Sequence, residues 1–325
     1  MAKLFSIGEL LIDFIPQQKG VPLKDVLSFE RAPGGALANA AAAVAKFGQP
    51  SEMITKLGMD AFGDFLIEQL QMAGVETDKI LRTKEANTGL AFVSLKENGE
   101  REFSFYRKPS ADLLLSEKEI QSDWFAKGDI LHFCSVNLVE SPMKQAHKKS
   151  ISIMKEKGGL ISFDPNVRLP LWEEPSDCRK AILEFLPHAH LVKVSDEELE
   201  FITGNKEVES AIKSLFIGDV QAVVYTKGAL GAELHIKGAS WESPGYTVEV
   251  QDTTGAGDAF MGGLLYKLLE AGAHPMNLLQ ILSNQHMEIL QFANASGALT
   301  AAGKGAISAL PSKKQVLELI NVQER

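Results

Sequence analysis

The sequence QDTTGAGDAFMGG, residues 251–263, joins a glycine-rich turn to an apolar segment through a single acid, Asp258. Apolar residues recur at helical spacing after this acid, which predicts a helix that begins at about Gly257 or Asp258. The first N–H groups of a helix have no intrahelical partner, and the helix dipole makes that end positive. Because Gly255, Ala256 and Gly257 let an anion approach the backbone closely, the turn is predicted to bind an anion.

Asp258 can be interpreted as a structural or as a catalytic residue. An Asp at the start of a helix is most often an N-cap that accepts hydrogen bonds from the backbone. A carboxylate kept ionised by the helix field can also take a proton from a hydroxyl group while the adjacent N–H groups hold a transferring phosphoryl group. The run Gly-Ala-Gly-Asp after Asp-Thr-Thr favours catalysis. The sequence has no GxxxxGK[ST] motif and no GxGxxG after its first strand, so the usual P-loop and dinucleotide sites lack their motifs.

Short apolar runs alternate with longer helical patterns along the chain. LFSIGELLIDFI, residues 4–15, is interpreted as one opening strand, and ALANAAAAVAKFG, residues 36–48, as a helix that Gly48 ends. Similar patterns follow as far as QAVVYTKG, residues 221–228, and the helix after Asp258. This alternation predicts an α/β fold with a mainly parallel sheet and helices on both faces. No repeat or low-complexity linker marks a boundary, so residues 1–325 are predicted to form a single domain.

One region departs from this alternation. TGLAFVSLKENGEREFSFYR, residues 88–107, is interpreted as two strands around a turn at residues 97–100, where Asn-Gly is a strong hairpin signal. VLSFERAP, residues 26–33, is a further strand-like segment. Hairpins within an α/β chain predict a small separate sheet, and we interpret the segments at about 14–32 and 86–110 as a lid.

Composition excludes several classes of protein. A net charge of −9 and a pI of about 5.4 argue against a nucleic-acid-binding protein. No run of about 18 uncharged apolar residues is present, so no transmembrane helix and no membrane partner are expected. The two cysteines, Cys134 and Cys178, form no CxxC pair and favour a reducing compartment. A cytoplasmic protein that acts on small molecules is therefore expected.

Two stretches resemble known signatures. DTTGAGDAF, residues 252–260, is similar to the C-terminal signature of the ribokinase-like (pfkB) carbohydrate kinases, and PGGALANAAAAVAKFG, residues 33–48, to their N-terminal signature. The resemblance extends over nearly the whole chain and is greatest to bacterial and plant fructokinases. It implies a ribokinase-like fold and an ATP-dependent kinase that makes fructose 6-phosphate. The alternatives are a kinase of the same family for 2-keto-3-deoxygluconate or a nucleoside, an inactive binding protein, and a nucleotide-cofactor oxidoreductase.

The resemblance also implies roles for individual residues, with ATP and Mg²⁺ as the ligands besides the sugar. The catalytic group comprises the general base Asp258 and the anion-binding N–H groups of Gly255, Ala256 and Gly257. The residues implied in sugar or phosphate contact are Asp13, Gly34, Gly35, Asn39, Arg107 and Arg168. The residues implied in nucleotide contact are Lys193, Thr226, Gly228, Gly231, Gly255, Gly257 and Asn294. The residues implied in cation binding are Glu198 for hydrated magnesium and Asp252 and Thr254 for a monovalent cation such as K⁺.

Some of these assignments also follow from residue chemistry. Asp13 falls on the same face of its strand as two apolar residues, so its carboxylate needs hydrogen-bond donors, which sugar hydroxyls can supply. Asn39 follows the Gly34-Gly35 turn within the first turns of a helix, where an Asn is unfavourable without a partner. One departure concerns the family's Asn-x-x-Glu motif, in which Ser195 stands in place of Asn. The edges of the small sheet also make a homodimer through the lid an expectation.

Overall fold

The structure, a computed structural model, describes residues 2–18, 20–95 and 101–323. Its strands are β1 (Leu4–Ile7), β2 (Leu11–Pro16), β3 (Phe29–Gly34), β4 (Ser51–Gly58), β5 (Ile80–Thr83), β6 (Leu90–Leu95), β7 (Arg101–Tyr106), β8 (Ile130–Cys134), β9 (Leu160–Asp164), β10 (Leu191–Ser195), β11 (Ala222–Thr226), β12 (Gly231–Ile236) and β13 (Ala239–Pro244). Its α-helices are α1 (Ala36–Phe47), α2 (Ala61–Met72), α3 (Pro142–Glu156), α4 (Pro175–Phe185), α5 (Asp196–Thr203), α6 (Val208–Ser214), α7 (Ala256–Glu270), α8 (Leu278–Ala301) and α9 (Lys313–Gln323).

Nine strands form the central sheet in the order β13-β12-β11-β10-β9-β8-β1-β4-β5. The strands from β11 to β5 pair in parallel, whereas β12 and β13 are antiparallel to their neighbours. Successive side chains of a strand point to opposite faces, so Leu191 and Val224 belong to one apolar cluster and Val192 and Val223 to another. The predicted α/β fold with a mainly parallel sheet is confirmed.

Helices α1 and α7 touch closely because small residues line their contact. A Cβ atom added at Gly262 of α7 would lie 2.4 Å from the Cβ of Ala43 and 3.1 Å from the carbonyl oxygen of Ala40, both in α1. Gly48 ends α1 in the left-handed conformation, and its N–H donates to the carbonyl of Ala45. This close packing places the first turns of α1 and α7 side by side at the carboxyl edge of the sheet.

The small sheet has the order β3-β2-β6-β7, with antiparallel pairs at its two sides and a parallel pair, β2–β6, in the middle. Aromatic side chains hold one face together: the rings of Phe14 and Phe92 stack at 4.8 Å, and Phe29 and Tyr106 meet Phe92 edge-on. The expected small sheet is therefore present. The hairpin turn predicted at residues 97–100 lies outside the described residues.

The interpretation of residues 4–15 as one strand is wrong. The chain forms β1 in the central sheet, leaves it at residues 8–10, and enters the small sheet as β2. The apolar pattern is continuous across this break, so periodicity could not reveal it. The antiparallel pair β12–β13 at the sheet edge was also not predicted. None of the described helices has the length and apolar character needed to cross a membrane.

Candidate active site

A cleft of about 390 Å³ opens where the carboxyl ends of β9 and β10 face the small sheet and the start of α7. Open α/β sheets bind ligands outside the carboxyl ends of their strands, so this is the expected place for a site. The lining residues are Glu9, Leu11, Asp13, Gly35, Ala36, Asn39, Phe105, Val136, Asp164, Asn166, Arg168, Leu171, Lys193, Ser195, Glu198, Thr253, Thr254, Gly255, Gly257 and Asp258.

The glycine-rich turn forms one wall of this cleft. Gly255 caps α7 with φ +74°, and a Cβ atom there would lie 2.7 Å from the Cβ of Ala306, so only glycine fits without displacement. A Cβ position at Gly257 has no heavy atom within 4 Å and faces open space. The N–H of Ala256 donates to the carbonyl of Thr253. The three predicted anion-binding N–H donors are therefore not equivalent, because the N–H of Ala256 already has an acceptor.

Asp258 lies on the first turn of α7 and accepts a hydrogen bond of 2.8 Å from the Nδ2 of Asn39. The two residues are 219 positions apart in sequence, and the α1–α7 contact brings them together. Burial raises the pKa of Asp258, while Asn39, Arg168 and Lys193 act in the opposite direction. The helix field alone, from which an ionised Asp258 is predicted, lowers this pKa. A raised pKa makes the carboxylate a stronger proton acceptor.

The glycine pair before α1 gives room to the carboxylate of Asp13 and to the backbone of Glu9. A Cβ atom at Gly34 would lie 2.4 Å from the Oδ2 of Asp13, and one at Gly35 would lie 2.6 Å from the backbone oxygen of Glu9. Gly35 also has φ +124°, which side chains of L-residues disfavour. The turn thus leaves room for the Asp13 carboxylate, which lines the cleft, and leads into α1, where Asn39 contacts Asp258.

Lys193 is a buried cation surrounded by carboxylates. Its Nζ lies 3.2 Å and 3.4 Å from the two oxygens of Asp164 and 3.8 Å from the Oε2 of Glu198. Burial acts to lower the pKa of Lys193, but Asp164 and Glu198 raise it on balance. Burial raises the pKa of Asp164, with Glu198 and Asp258 adding to the rise. The ammonium group is therefore charged at neutral pH and stabilises the charge of its neighbours.

Ser195 has a clear structural function at the position where Asn is usual. It caps α5 by accepting a 3.3 Å hydrogen bond from the N–H of Glu198, and the Oε2 of Glu198 accepts one of 2.9 Å from the N–H of Ser195. The Oε1 of Glu198 accepts a further bond of 2.8 Å from the N–H of Val167. Burial opposes ionisation of Glu198, but Lys193 and these N–H groups lower its pKa on balance.

A second cleft, of about 570 Å³, adjoins the first. Four residues line both clefts: Lys193, Ser195, Thr253 and Gly257. The walls of the second cleft include the predicted nucleotide-contact residues Thr226, Gly228, Gly231 and Asn294, together with the apolar side chains Tyr246, Val248, Val250 and Phe260. The Nδ2 of Asn294 donates to the backbone oxygens of Ser243 and Pro244 at 3.1 Å and 3.2 Å, and so holds the segment that forms one wall.

The structure separates the two predicted arginines. Arg168 is exposed and lines the first cleft. Arg107 does not line this cleft: it is 5% exposed and forms an ion pair with Asp112. The predicted cation residues Asp252 and Thr254 contact one another, since the Oδ1 of Asp252 accepts hydrogen bonds from the N–H and hydroxyl of Thr254 at 3.0 Å and 2.5 Å. The Oδ2 of Asp252 accepts a bond of 3.1 Å from the N–H of Gly305.

Sequence reasoning missed four acidic or polar residues of the cleft: Glu9, Asp164, Asn166 and Thr253. Glu9 is 3% exposed, its Oε1 accepts a 3.1 Å hydrogen bond from the N–H of Ala36, and burial raises its pKa from 4.5 to about 7. The signal for Glu9 was an acid inside an apolar run, and the signal for Asp164 was an acid at the end of a strand. Neither signal distinguishes a buried acid from an exposed one.

The pKa of Glu9 leads to a testable dependence of stability on pH. The native state binds the Glu9 proton more tightly than the unfolded chain, so this stabilisation is complete at low pH and is lost as pH rises through about 7. The Glu9→Gln variant stays neutral. Its free energy of unfolding relative to wild type is expected to rise by roughly 2–3 kcal/mol between pH 5 and pH 8, measured by urea unfolding. A difference that does not change with pH would contradict the assigned pKa.

Comparison with known proteins identifies similar sequences and structures. The model of the pfkB family carbohydrate kinases matches residues 1–313. Fructokinase-2 of Solanum habrochaites is 42% identical over 98% of this chain and 95% of its own length. The crystal structure of a Xylella fastidiosa fructokinase with bound ATP has a TM-score of 0.89 and 36% identity and covers 99% of both chains. A Vibrio cholerae fructokinase with bound fructose, ADP and calcium has a TM-score of 0.86 and 36% identity, covering 98% of this chain and 99% of its own.

Proposed function

Because the chain belongs to the pfkB family of carbohydrate kinases, we propose that it transfers the γ-phosphoryl group of ATP to the 6-hydroxyl of D-fructose. The observation that carries this proposal is the pair Asn39–Asp258, which lies in the first cleft directly after Gly257, a residue that lines both clefts. The first cleft carries carboxylate and amide groups that suit a polyhydroxyl ligand. The second has apolar walls that suit a purine ring. The relatives that most support fructose are the two crystallised fructokinases described above.

The sugar is held by hydrogen bonds from the first cleft. Asp13 accepts from sugar hydroxyls, while Gly35 lines the cleft beside it. Arg168 lies at the rim, where its guanidinium group can donate to a hydroxyl or to the transferring phosphate. Asn39 fixes the orientation of Asp258 toward the hydroxyl that reacts. Pocket shape then separates fructose from sugars that differ by one hydroxyl.

Phosphoryl transfer uses the boundary between the clefts. The sugar oxygen attacks the γ-phosphorus, the bond from phosphorus to the ADP oxygen breaks, and the hydroxyl proton passes to Asp258. The N–H groups of Gly255 and Gly257 and the ammonium group of Lys193 stabilise negative charge on the transferring group. Thr253 lines both clefts and so lies beside the phosphate chain. Groups at the start of α7 thus accept the proton, and these groups together with Lys193 of β10 stabilise the negative charge.

We assign two cations to oxygen-bearing residues of this site. Glu198 and Asp164 bring carboxylates to the cleft beside Lys193, which is the oxygen chemistry that hydrated Mg²⁺ prefers near phosphates. Mg²⁺, when bound, neutralises charge on the phosphates of ATP.

The loop of Asp252 and Thr254, which precedes α7, offers oxygen ligands for a monovalent cation such as K⁺. A dependence of turnover on K⁺ that Asp252→Ala abolishes would support the second assignment, and equal turnover in Na⁺ and K⁺ would contradict it.

The small sheet serves as the lid and as a dimer contact in this proposal. Strands β3 and β7 form its outer edges. Leu27, just before β3, is 87% exposed, and Tyr106, the last residue of β7, is 63% exposed. Closure over the sugar excludes water, and pairing of two copies covers the exposed apolar side chains. Sedimentation velocity is expected to show a homodimer, whereas a monomer at micromolar concentration would contradict this assignment.

We also assign the protein to the cytoplasm, since both cysteines are free and buried.

A panel of acceptors tests the proposed function. ATP is offered with fructose, glucose, ribose, 2-keto-3-deoxygluconate and a nucleoside, and ADP release is followed in a coupled assay. We expect fructose to give the highest kcat/KM, with ADP formed only when an acceptor is present. A higher kcat/KM for 2-keto-3-deoxygluconate or the nucleoside would contradict fructose as the substrate and assign the chain to a different activity within the family. No acceptor-dependent ADP release would leave the chain as a binding protein.

Asn39→Ala provides a more local test. The variant loses the donor to Asp258 and one polar group of the sugar cleft, so the KM for fructose is expected to rise about tenfold or more. The KM for ATP is expected to stay within about twofold, because Asn39 lines only the first cleft. Initial rates with each substrate varied in turn provide both values. Equal losses for sugar and ATP would contradict a sugar site at Asn39.

A further inference from the structure

A buried acid, Glu9, lies where the chain passes from the central sheet to the small sheet. It stands between β1 and β2, its side chain is 3% exposed, and it lines the sugar cleft. Glu9 has no role in the phosphoryl-transfer steps proposed above. A buried carboxylate is expensive unless its charge and hydrogen bonds are satisfied, so its place here calls for an explanation.

Glu9 makes two contacts with the start of α1. Its Oε1 accepts a 3.1 Å hydrogen bond from the N–H of Ala36, the first residue of the helix. Its backbone oxygen lies so close to Gly35 that a side chain there would collide with it. One helical turn later, Asn39 donates to Asp258 at 2.8 Å. A shift of Ala36 therefore moves the donor that orients the proposed base.

The second oxygen of Glu9 has a potential partner directly after the last strand of the small sheet. Within the described chain, Oε2 is buried without a hydrogen-bond partner, and so is the Nε of Arg107. Arg107 follows β7 directly, and its Nη2 pairs with Asp112, which also accepts a 2.9 Å bond from Asn137. Glu9 and Arg107 are close enough to influence one another electrostatically. An unmet acceptor and an unmet donor of opposite charge are thus both buried, on residues that interact electrostatically.

We propose that Glu9 is a positioning residue that couples lid closure to the catalytic pair. Through Ala36 it fixes the start of α1, so that Asn39 holds Asp258 in place. When the small sheet closes over the sugar, the Oε2 of Glu9 accepts a hydrogen bond from the Nε of Arg107. The second part rests on the proposed function, because closure requires a sugar in the cleft.

The charge state of Glu9 connects this coupling to pH. The titratable groups around Glu9 are the guanidinium of Arg107 and the carboxylate of Asp112, both after β7, and the thiol of Cys134 at the end of β8. Burial raises the pKa of Glu9 to about 7, so the carboxylate ionises as pH rises through that value. Only the ionised form attracts Arg107 strongly. The KM for fructose is therefore expected to fall between pH 6 and pH 8 in the wild type.

Two substitutions separate the two contacts. Glu9→Gln keeps an oxygen acceptor for Ala36 and removes the charge, whereas Glu9→Leu removes both. We expect Glu9→Leu to lower kcat and raise the KM for fructose by about tenfold each, with the KM for ATP within about twofold. We expect Glu9→Gln to restore kcat to within about threefold of wild type at pH 6, but to lose the fall in fructose KM toward pH 8.

Hydrogen–deuterium exchange provides a readout that needs no turnover. Amides at the start of α1, residues 36–39, are expected to exchange about tenfold faster in Glu9→Leu than in wild type or Glu9→Gln. If the wild type does not phosphorylate fructose, the proposed function fails, but this exchange result still tests the contact with Ala36. If Glu9→Leu does not fold, Glu9→Gln alone carries the test through its pH profile. Unchanged exchange in Glu9→Leu, or a wild-type pH profile in Glu9→Gln, would overturn the corresponding part of the proposal.

Discussion

Replacement of Asp258 by Asn is expected to lower kcat by about 10³- to 10⁴-fold, while the Kd for ATP changes less than about twofold. Asn has nearly the same shape and can still meet Asn39, but it cannot take the hydroxyl proton. Because Asp258 lines the sugar cleft and is absent from the walls of the second cleft, ATP binding is expected to survive. Steady-state rates and ATP titration calorimetry measure the two effects.

A matched control is available for this substitution. Asp177 lies on the first turn of α4, as Asp258 lies on the first turn of α7, but its side chain is 51% exposed and pairs with Lys180. Asp177→Asn is expected to keep kcat within about twofold of wild type. Turnover of Asp258→Asn within tenfold of wild type would remove Asp258 from the base role. The pH profile adds a check, since wild-type kcat should fall as pH drops through a pKa above that of an ordinary Asp.

Replacement of Lys193 by Met is expected to lower the free energy of unfolding by about 3–5 kcal/mol and to impair turnover strongly. The substitution keeps most of the side-chain volume but leaves Asp164 and Glu198 buried beside no cation. Turnover falls because the phosphate end of the second cleft loses its positive charge. Urea unfolding measures the first effect and initial rates the second.

A double-mutant cycle separates the ion pair from other consequences of the change. Asp164→Asn added to Lys193→Met is expected to recover part of the lost stability, because one unpaired carboxylate is removed. The exposed pair of Lys180 and Asp177 supplies the control: Lys180→Met is expected to change stability by less than about 0.5 kcal/mol. A cost below about 1 kcal/mol for Lys193→Met would show that the cluster is not held together by this cation.

The fold and the position of the proposed base could be predicted from local patterns. The glycine-rich turn at 252–260 and the apolar spacing after it located the start of α7 to within two residues. Strand and helix alternation predicted the parallel sheet. The passage from β1 to β2 between two sheets could not be predicted, because an apolar run looks the same whether the chain stays in one sheet or changes to another.

The contacts of the site depended on packing that no local pattern contains. Asn39 meets Asp258 only because small residues let α1 and α7 touch. The hydrogen bond from the N–H of Ala256 to the carbonyl of Thr253 depends on the dihedral angles of the turn. The sequence Gly-Ala-Gly permits these angles but does not require them. The burial of Glu9, and with it the rise of its pKa to about 7, follows from the surrounding helix and small sheet. The family resemblance implied that Arg107 contacts a ligand, but its guanidinium group forms an ion pair with Asp112, five residues later.

The most direct test of the account is the ³¹P NMR spectrum of the product formed from ATP and D-fructose labelled with carbon-13 at the 6-position. We predict a phosphomonoester product whose phosphorus couples to the labelled carbon and which accumulates with one ADP per sugar, at a rate that Asp258→Asn lowers by about 10³-fold or more. A phosphomonoester without coupling to that carbon, or ADP formation without a phosphorylated sugar, would contradict transfer to the 6-hydroxyl at this site.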